Sequence, residues 1–140
     1  MSRKNAREII YKLVFEYTFS RVPNDVTEGM FLSDATLSQD DKAYVEKTYL
    51  GITEKYDELT ALILKYTTGY SSVDRLVKAD LVAMIVSAYE LSYEPEIPSS
   101  VSISEAVDLV KQYSTSKSGG FVNGVLASIN KEVRGDGENH

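Results

Sequence analysis

Leu76-Val77-Lys78-Ala79-Asp80-Leu81-Val82-Ala83-Met84-Ile85-Val86-Ser87-Ala88-Tyr89-Glu90-Leu91 is the stretch on which the fold turns. Leu76, Val77, Leu81, Met84, Ile85, Ala88 and Leu91 recur at helical spacing, and from Leu81 to Val86 the run is apolar on nearly every side. Such a helix has no face to give to water, so it is predicted to be the central buried helix of an all-α core. Its start is expected after Ser71 or Ser72.

Downstream, Pro95 and Pro98 enforce an extended connector, because the residue before a proline is driven out of the helical region. Ser102 and Glu105 have the spacing of a capping box for the next helix, with Ile103, Ala106, Val107, Val110 and Tyr113 inward. Ser114 to Gly120 reads as a loop. Phe121, Val122, Val125, Leu126, Ile129 and Val133 line a final helix. Inside that helix Gly124 is expected to permit close packing and Asn123 to bond a neighbour. Residues 135–140 read as a disordered polar tail.

Upstream, Tyr56, Leu59, Leu62, Ile63 and Tyr66 keep a helical period to Gly69. Ser38 with Asp41 starts a helix whose stripe includes Tyr44, Val45, Thr48, Tyr49 and Ile52. Spacing alone leaves open whether 39–67 is one bent helix or two. A weak helix over 24–35 begins near Asn24 or Asp25 and is interrupted by Gly29. The first helix carries Ala6, Ile9, Ile10, Leu13, Val14 and Tyr17 on one stripe and is ended by the Pro23 region. No period-2 strand pattern is present. The expectation is about six to seven packed helices in a single domain, 1–134.

Composition narrows the chemistry. A chain of 140 residues is one ordinary domain. It has no cysteine, which excludes disulfides, thiolate metal sites and thiol nucleophiles. The single histidine is His140, in the polar tail. No apolar run approaches the roughly 20 residues of a membrane helix, and no signal peptide is recognisable, so a cytoplasmic protein is expected. Asp40-Asp41 and Asp57-Glu58 read as solvated helix starts rather than cation sites. Gly119 and Gly124 have phosphate-loop spacing, but Val125-Leu126 replaces the lysine and hydroxyl that would follow. Glu90 and Glu105 read as structural carboxylates, pairing with a base such as Arg75. The ten tyrosines fall mostly at helical spacing, as an amphipathic core edge. No catalytic residue, metal or cofactor is expected.

Net charge is −6, which argues against broad nucleic-acid binding. Its distribution is uneven. Residues 1–13 hold Arg3, Lys4, Arg7 and Lys12 against Glu8, a local +3, whereas 14–62 hold ten acids against four bases. Arg3, Lys4 and Arg7 lie off the apolar stripe and are expected to be exposed, with Arg3 and Arg7 sharing a face. They sit at the positive end of a helix dipole, where they cost stability, so a use for them is implied.

Phe121-Val122-Asn123-Gly124-Val125-Leu126 resembles the last helix of the bacterial NusB family of transcription antitermination factors. Tyr89-Glu90-Leu91, then Ile97-Pro98, Val101, Ile103 and Glu105-Ala106-Val107, resembles the family in order, as do Arg75-Leu76 with Asp80 and Asn5-Ala6-Arg7-Glu8. The resemblance spans about residues 3–133. It implies two small helical subdomains and a non-enzymatic protein that binds boxA-type RNA of ribosomal RNA leaders. It further implies the ribosomal protein NusE as partner, within an RNA polymerase antitermination complex. By position it assigns RNA contact to Arg3, Lys4, Arg7, Lys117, Ser118 and Phe121, and partner contact to Phe15 and Asp80. Asn5 stands where the family often has another arginine, Phe15 where a tyrosine is common, and Tyr70 near a frequent tryptophan. Two alternatives remain: a homodimerising interaction module that has lost RNA binding, and an accessory domain of a ribosomal RNA methyltransferase.

Overall fold

A computed structural model describes residues 2–135, and within them the chain forms seven α-helices, one 3₁₀ turn and no strand. The expected tail with His140 lies, apart from Gly135, outside the described residues. The helices are α1 (Ser2–Ser20), α2 (Asp25–Leu32), α3 (Gln39–Glu54), α4 (Tyr56–Lys65), α5 (Lys78–Tyr93), α6 (Ser99–Tyr113) and α7 (Ser118–Arg134). The chain divides into two compact units between Lys55 and Tyr56.

In the first unit the apolar stripe of α1 packs against α3. Ile10, Leu13 and Val14 meet a core that includes Val45 and Ile52, all fully or almost fully buried. Arg21 ends α1 by taking a left-handed φ of 58°, two residues ahead of Pro23. α2 follows an Asn24 cap, whose side chain accepts from the Thr27 amide at 3.0 Å. Gly29 does not interrupt it, and none of its residues is buried. α3 starts at the expected cap, with Ser38 Oγ accepting from the Asp41 amide at 3.1 Å. It closes at Lys55, whose amide turns back to the Gly51 carbonyl at 3.0 Å and the Ile52 carbonyl at 3.2 Å. Residues 39–67 are therefore two helices.

The second unit is built round α5, where every residue from Asp80 to Leu91 is buried. α4, α6 and α7 pack against it, and α6 and α7 against each other. α5 begins later than expected. Ser72 instead caps the 3₁₀ turn Val73–Arg75, accepting from the Asp74 amide at 3.0 Å, and Leu76 is extended. α6 starts directly after Pro98, whose fixed φ of −59° already suits a helix entry. Ser102 is consequently not a cap. Its hydroxyl lies 2.8 Å from that of Ser87, and both side chains are buried. Arg75 is exposed, whereas Glu90 is fully buried.

α7 begins at Ser118 rather than Phe121. Its Val122, Val125 and Leu126 are buried. The expected packing role of Gly124 is not observed: a Cβ there would meet nothing within 4 Å, and Asn123 is exposed. The glycine at the packed position is Gly119, where a Cβ would lie 3.5 Å from Val107 and 3.6 Å from Lys111. At its other end α7 supplies Arg134. That guanidinium donates to the carbonyls of Ile97 (2.7 Å), Glu94 (2.9 Å), Leu91 (3.0 Å) and Glu90 (3.1 Å). One cation thus gathers the carbonyls at the end of α5 and in the proline connector, where helix geometry leaves acceptors short of donors; those of Glu90 and Glu94 also accept the Glu94 and Ile97 amides. Arg134→Met keeps much of the side-chain volume and removes these bonds. It should destabilise the chain by about 1.5–3 kcal/mol, the range for hydrogen bonds to charged groups, read from denaturant midpoints.

Candidate functional site

The basic start of α1 is not a loose set of charges. Arg3 Nε donates to Asp41 Oδ1 at 2.8 Å, and its Cζ lies 4.1 Å from the centre of the Tyr44 ring. Arg7, one turn on, places its Cζ 5.7 Å from the same ring. Asp41 is only 3% exposed. It was read as part of a solvated acidic start of α3; it is instead the buried counter-charge of Arg3. The first turn of α1 carries no acid of its own, so Asp41, from the favourable N-terminal end of α3, offsets the charge conflict.

The three predicted cations differ in surroundings. Lys4 is exposed, and the side chain of Arg3 is 43% exposed. Arg7 is 6% exposed, contrary to the expectation drawn from the stripe. The physical reason is its length: from α1 the side chain reaches Tyr44 of α3, its Cζ 5.7 Å from that ring. Asn5 is exposed.

The start of α7 forms a separate group in the second unit. Lys117 is its exposed N-cap residue. Ser118, expected in an open loop, is 4% exposed. Its hydroxyl lies 3.0 Å from both the Ser114 and Thr115 hydroxyls, tying down the turn that carries Lys117. Phe121 is half-buried, its ring 6.3 Å from that of Tyr70 at 56°. Tyr70 is exposed beside it.

Of the predicted partner contacts, Phe15 is half-buried in an i, i+4 ladder on α1, 6.2 Å from Tyr11 and 5.7 Å from Phe19. Asp80, in the first turn of α5, is 5% exposed, and its Oδ1 has no hydrogen-bond partner among the described residues. A feature that periodicity did not reveal lies at α2. Phe19, Val22, Val26, Met30 and Leu50 of the first unit are all strongly exposed. Leu50 also lines a cleft of about 230 Å³ with Pro23, Asp25, Glu28, Glu46, Tyr49 and Thr53. Burial, then Glu46 and Asp25 nearby, push the Glu28 carboxyl above its ordinary range. The signal available in the sequence was the apolar composition of this short helix, none of whose residues proves to be buried.

A wider recess of about 490 Å³ in the second unit is lined by residues that include Glu58, Lys65, Tyr93 and Glu132. Its carboxylates are engaged. Tyr93 donates to Glu58, which pushes the phenol up to about 12. Lys65 and Tyr66 donate to Glu132 at 2.9 and 2.5 Å.

Helices throughout, with two arginines gathered on one aromatic ring at a helix start, define an all-α protein with an ordered cationic group. The chain belongs to the NusB family, whose model matches residues 4–131. It is 37% identical over 131 residues to the transcription antitermination protein NusB of Ruminiclostridium cellulolyticum, covering 94% of this chain and 90% of that one. To the NusB of Agathobacter rectalis it is 37% identical over 132 residues, covering 92% and 99%. Among solved structures it is similar to T. maritima NusB, with a TM-score of 0.83 at 32% identity, covering 94% and 92% of the chains. It is also similar to the antitermination factor in a crystal structure of NusB and NusE with dsRNA, with a TM-score of 0.82 at 26% identity, covering 94% and 97%. Among the described residues no helix is long and apolar enough to cross a membrane.

The burial difference within the cation set is measurable. Arg7→Ala should cost about 1–3 kcal/mol through lost buried polar contacts. Lys4→Ala should stay within about 0.5 kcal/mol of the parent, as exposed substitutions usually do. Thermal melts of the two variants compare them directly.

Proposed function

We propose that this chain is a cytoplasmic transcription antitermination factor without catalytic activity. It holds boxA-type RNA of ribosomal RNA leaders jointly with the ribosomal protein NusE, within an RNA polymerase antitermination complex. The observation that carries this reading is the arginine arrangement at α1. In a chain of net charge −6, a buried carboxylate and an aromatic ring are both committed to ordering cations at one helix start. The similarity to a NusB characterised with NusE and dsRNA supports the same assignment.

In this reading Arg3 and Lys4 contact phosphates, and Arg7 supports Arg3 from beneath. Lys117 adds a contact at α7, Phe121 offers a ring to a base, and Ser118 holds the turn. Residues 1–134 act as one RNA-binding domain. Phe15 and Asp80 face NusE. The exposed apolar side chains of α2 and its acidic cleft suit a basic protein with apolar anchors, since unpaired carboxylates gain from an incoming cation. The same surface is what favours the second reading, self-association into a homodimer.

Three phosphate contacts on a single strand give a slope of log K against log salt of roughly −2, at about −0.7 each. RNA affinity should be modest alone and rise about 5- to 150-fold with NusE, as a coupling of about 1–3 kcal/mol would produce. Titration of boxA-type and scrambled RNA, with and without NusE, tests this. Equal affinity for the two RNAs, or no gain from NusE, contradicts it; concentration-dependent dimerisation without RNA binding supports the second reading.

A further inference from the structure

We propose that Asp41 and Tyr44 are positioning residues for RNA. Together they hold the Arg3 guanidinium so that it presents a preformed fork to one phosphate. This rests on the RNA-binding reading above and adds two residues of α3 to its machinery.

The geometry assigns each a separate task. Asp41 takes the Nε edge of Arg3 at 2.8 Å, and no other hydrogen bond to Arg3 is made within the described residues. The two Nη groups are thereby left for solvent, consistent with a side chain 43% exposed beside a carboxylate that is 4% exposed. A guanidinium with its Nε edge occupied still offers the end-on pair of donors that matches two phosphate oxygens. Tyr44 fixes the plane of that fork. The guanidinium carbon stands 4.1 Å from its ring centre, within range of cation–π attraction. Arg7, its Cζ 5.7 Å from the same ring, adds positive charge beside it. Asp41 itself is set by α3: its amide is the donor to the Ser38 cap, which fixes the first turn of the helix. An arginine free in water must lose rotamer freedom on binding; here part of that loss is taken during folding.

The arrangement makes a prediction opposite in sign to simple electrostatics. Removing the Asp41 carboxylate deletes a negative charge close to the bound phosphate. Coulomb attraction alone would then strengthen RNA binding, whereas loss of positioning weakens it.

The test uses the full chain and a fluorescent boxA-type RNA, with circular dichroism confirming that each variant is folded. Asp41→Ala should weaken binding about 3- to 10-fold, and Asp41→Asn, which retains an acceptor for Nε, should recover most of the loss. Tyr44→Leu should weaken binding by a similar factor and Tyr44→Phe, which keeps the ring, should not. In an Arg3→Met background, Tyr44→Leu should cause no further loss, because its effect passes through Arg3. The salt slope of Tyr44→Leu should fall by about 0.7, one phosphate contact. Tighter binding by Asp41→Ala, or a Tyr44→Leu loss that persists undiminished without Arg3, overturns the proposal while leaving the RNA-binding reading intact. A parent chain that does not bind RNA overturns both.

Discussion

A helix that is apolar on every side must be enclosed, and α5 imposes that condition on the second unit. From Asp80 to Leu91 it offers nothing to solvent, so α4, α6 and α7 are arranged to cover it. Apart from Asp80 Oδ1, which has no partner among the described residues, several of the polar groups that enclosure traps are answered from neighbouring segments. Ser87 meets Ser102, Tyr89 donates to Glu94 at 3.4 Å, and Arg134 closes the carbonyl end. A buried polar group left alone would cost about 1–3 kcal/mol, so these pairings decide whether the burial of α5 is a net gain. The covering of α5 also sets the direction of α7, and with it the presentation of Lys117 and Phe121 at the helix start.

The first unit handles a different problem. A basic patch at a helix N-terminus opposes the helix dipole, and unshielded arginines lie loosely in water. Packing α1 against α3 brings the acidic, capped start of α3 to the arginines of α1. One carboxylate then neutralises the conflict and one ring orders the cations. Stability and site geometry are served by the same contacts, which is why Asp41 is buried although it lies in an acidic, polar stretch of sequence.

What could be read from the sequence follows from the range of each interaction. Helical periodicity is a local property, and it located α1, α3, the buried body of α5 and the apolar face of α7, though not the start of α5. The Ser38 cap was legible for the same reason. The errors arise where a distant residue decides. Ser102 has capping-box spacing, but Ser87, 15 residues away, claims its hydroxyl and Pro98 starts the helix first. Arg7 lies off the stripe by periodicity, yet its reach buries it near Tyr44. Arg134 carries no signal in the local sequence and bonds carbonyls 37 to 44 residues back. Asp41 carries no signal of pairing with Arg3, 38 residues earlier. Gly124 belongs to the stretch that carried the resemblance in the last helix, but packing within this chain does not require it.

The central claim is that RNA is held at the start of α1, with the start of α7 as a further contact. Photo-cross-linking answers it most directly. A boxA-type RNA carrying 4-thiouridine, bound to the full chain with NusE present, is irradiated, and the cross-linked peptides of this chain are mapped by mass spectrometry. The account predicts adducts within residues 2–12 and 117–121, with the former lost in the Arg3→Met variant. Adducts confined to residues 24–67, or an unchanged pattern in that variant, would contradict it.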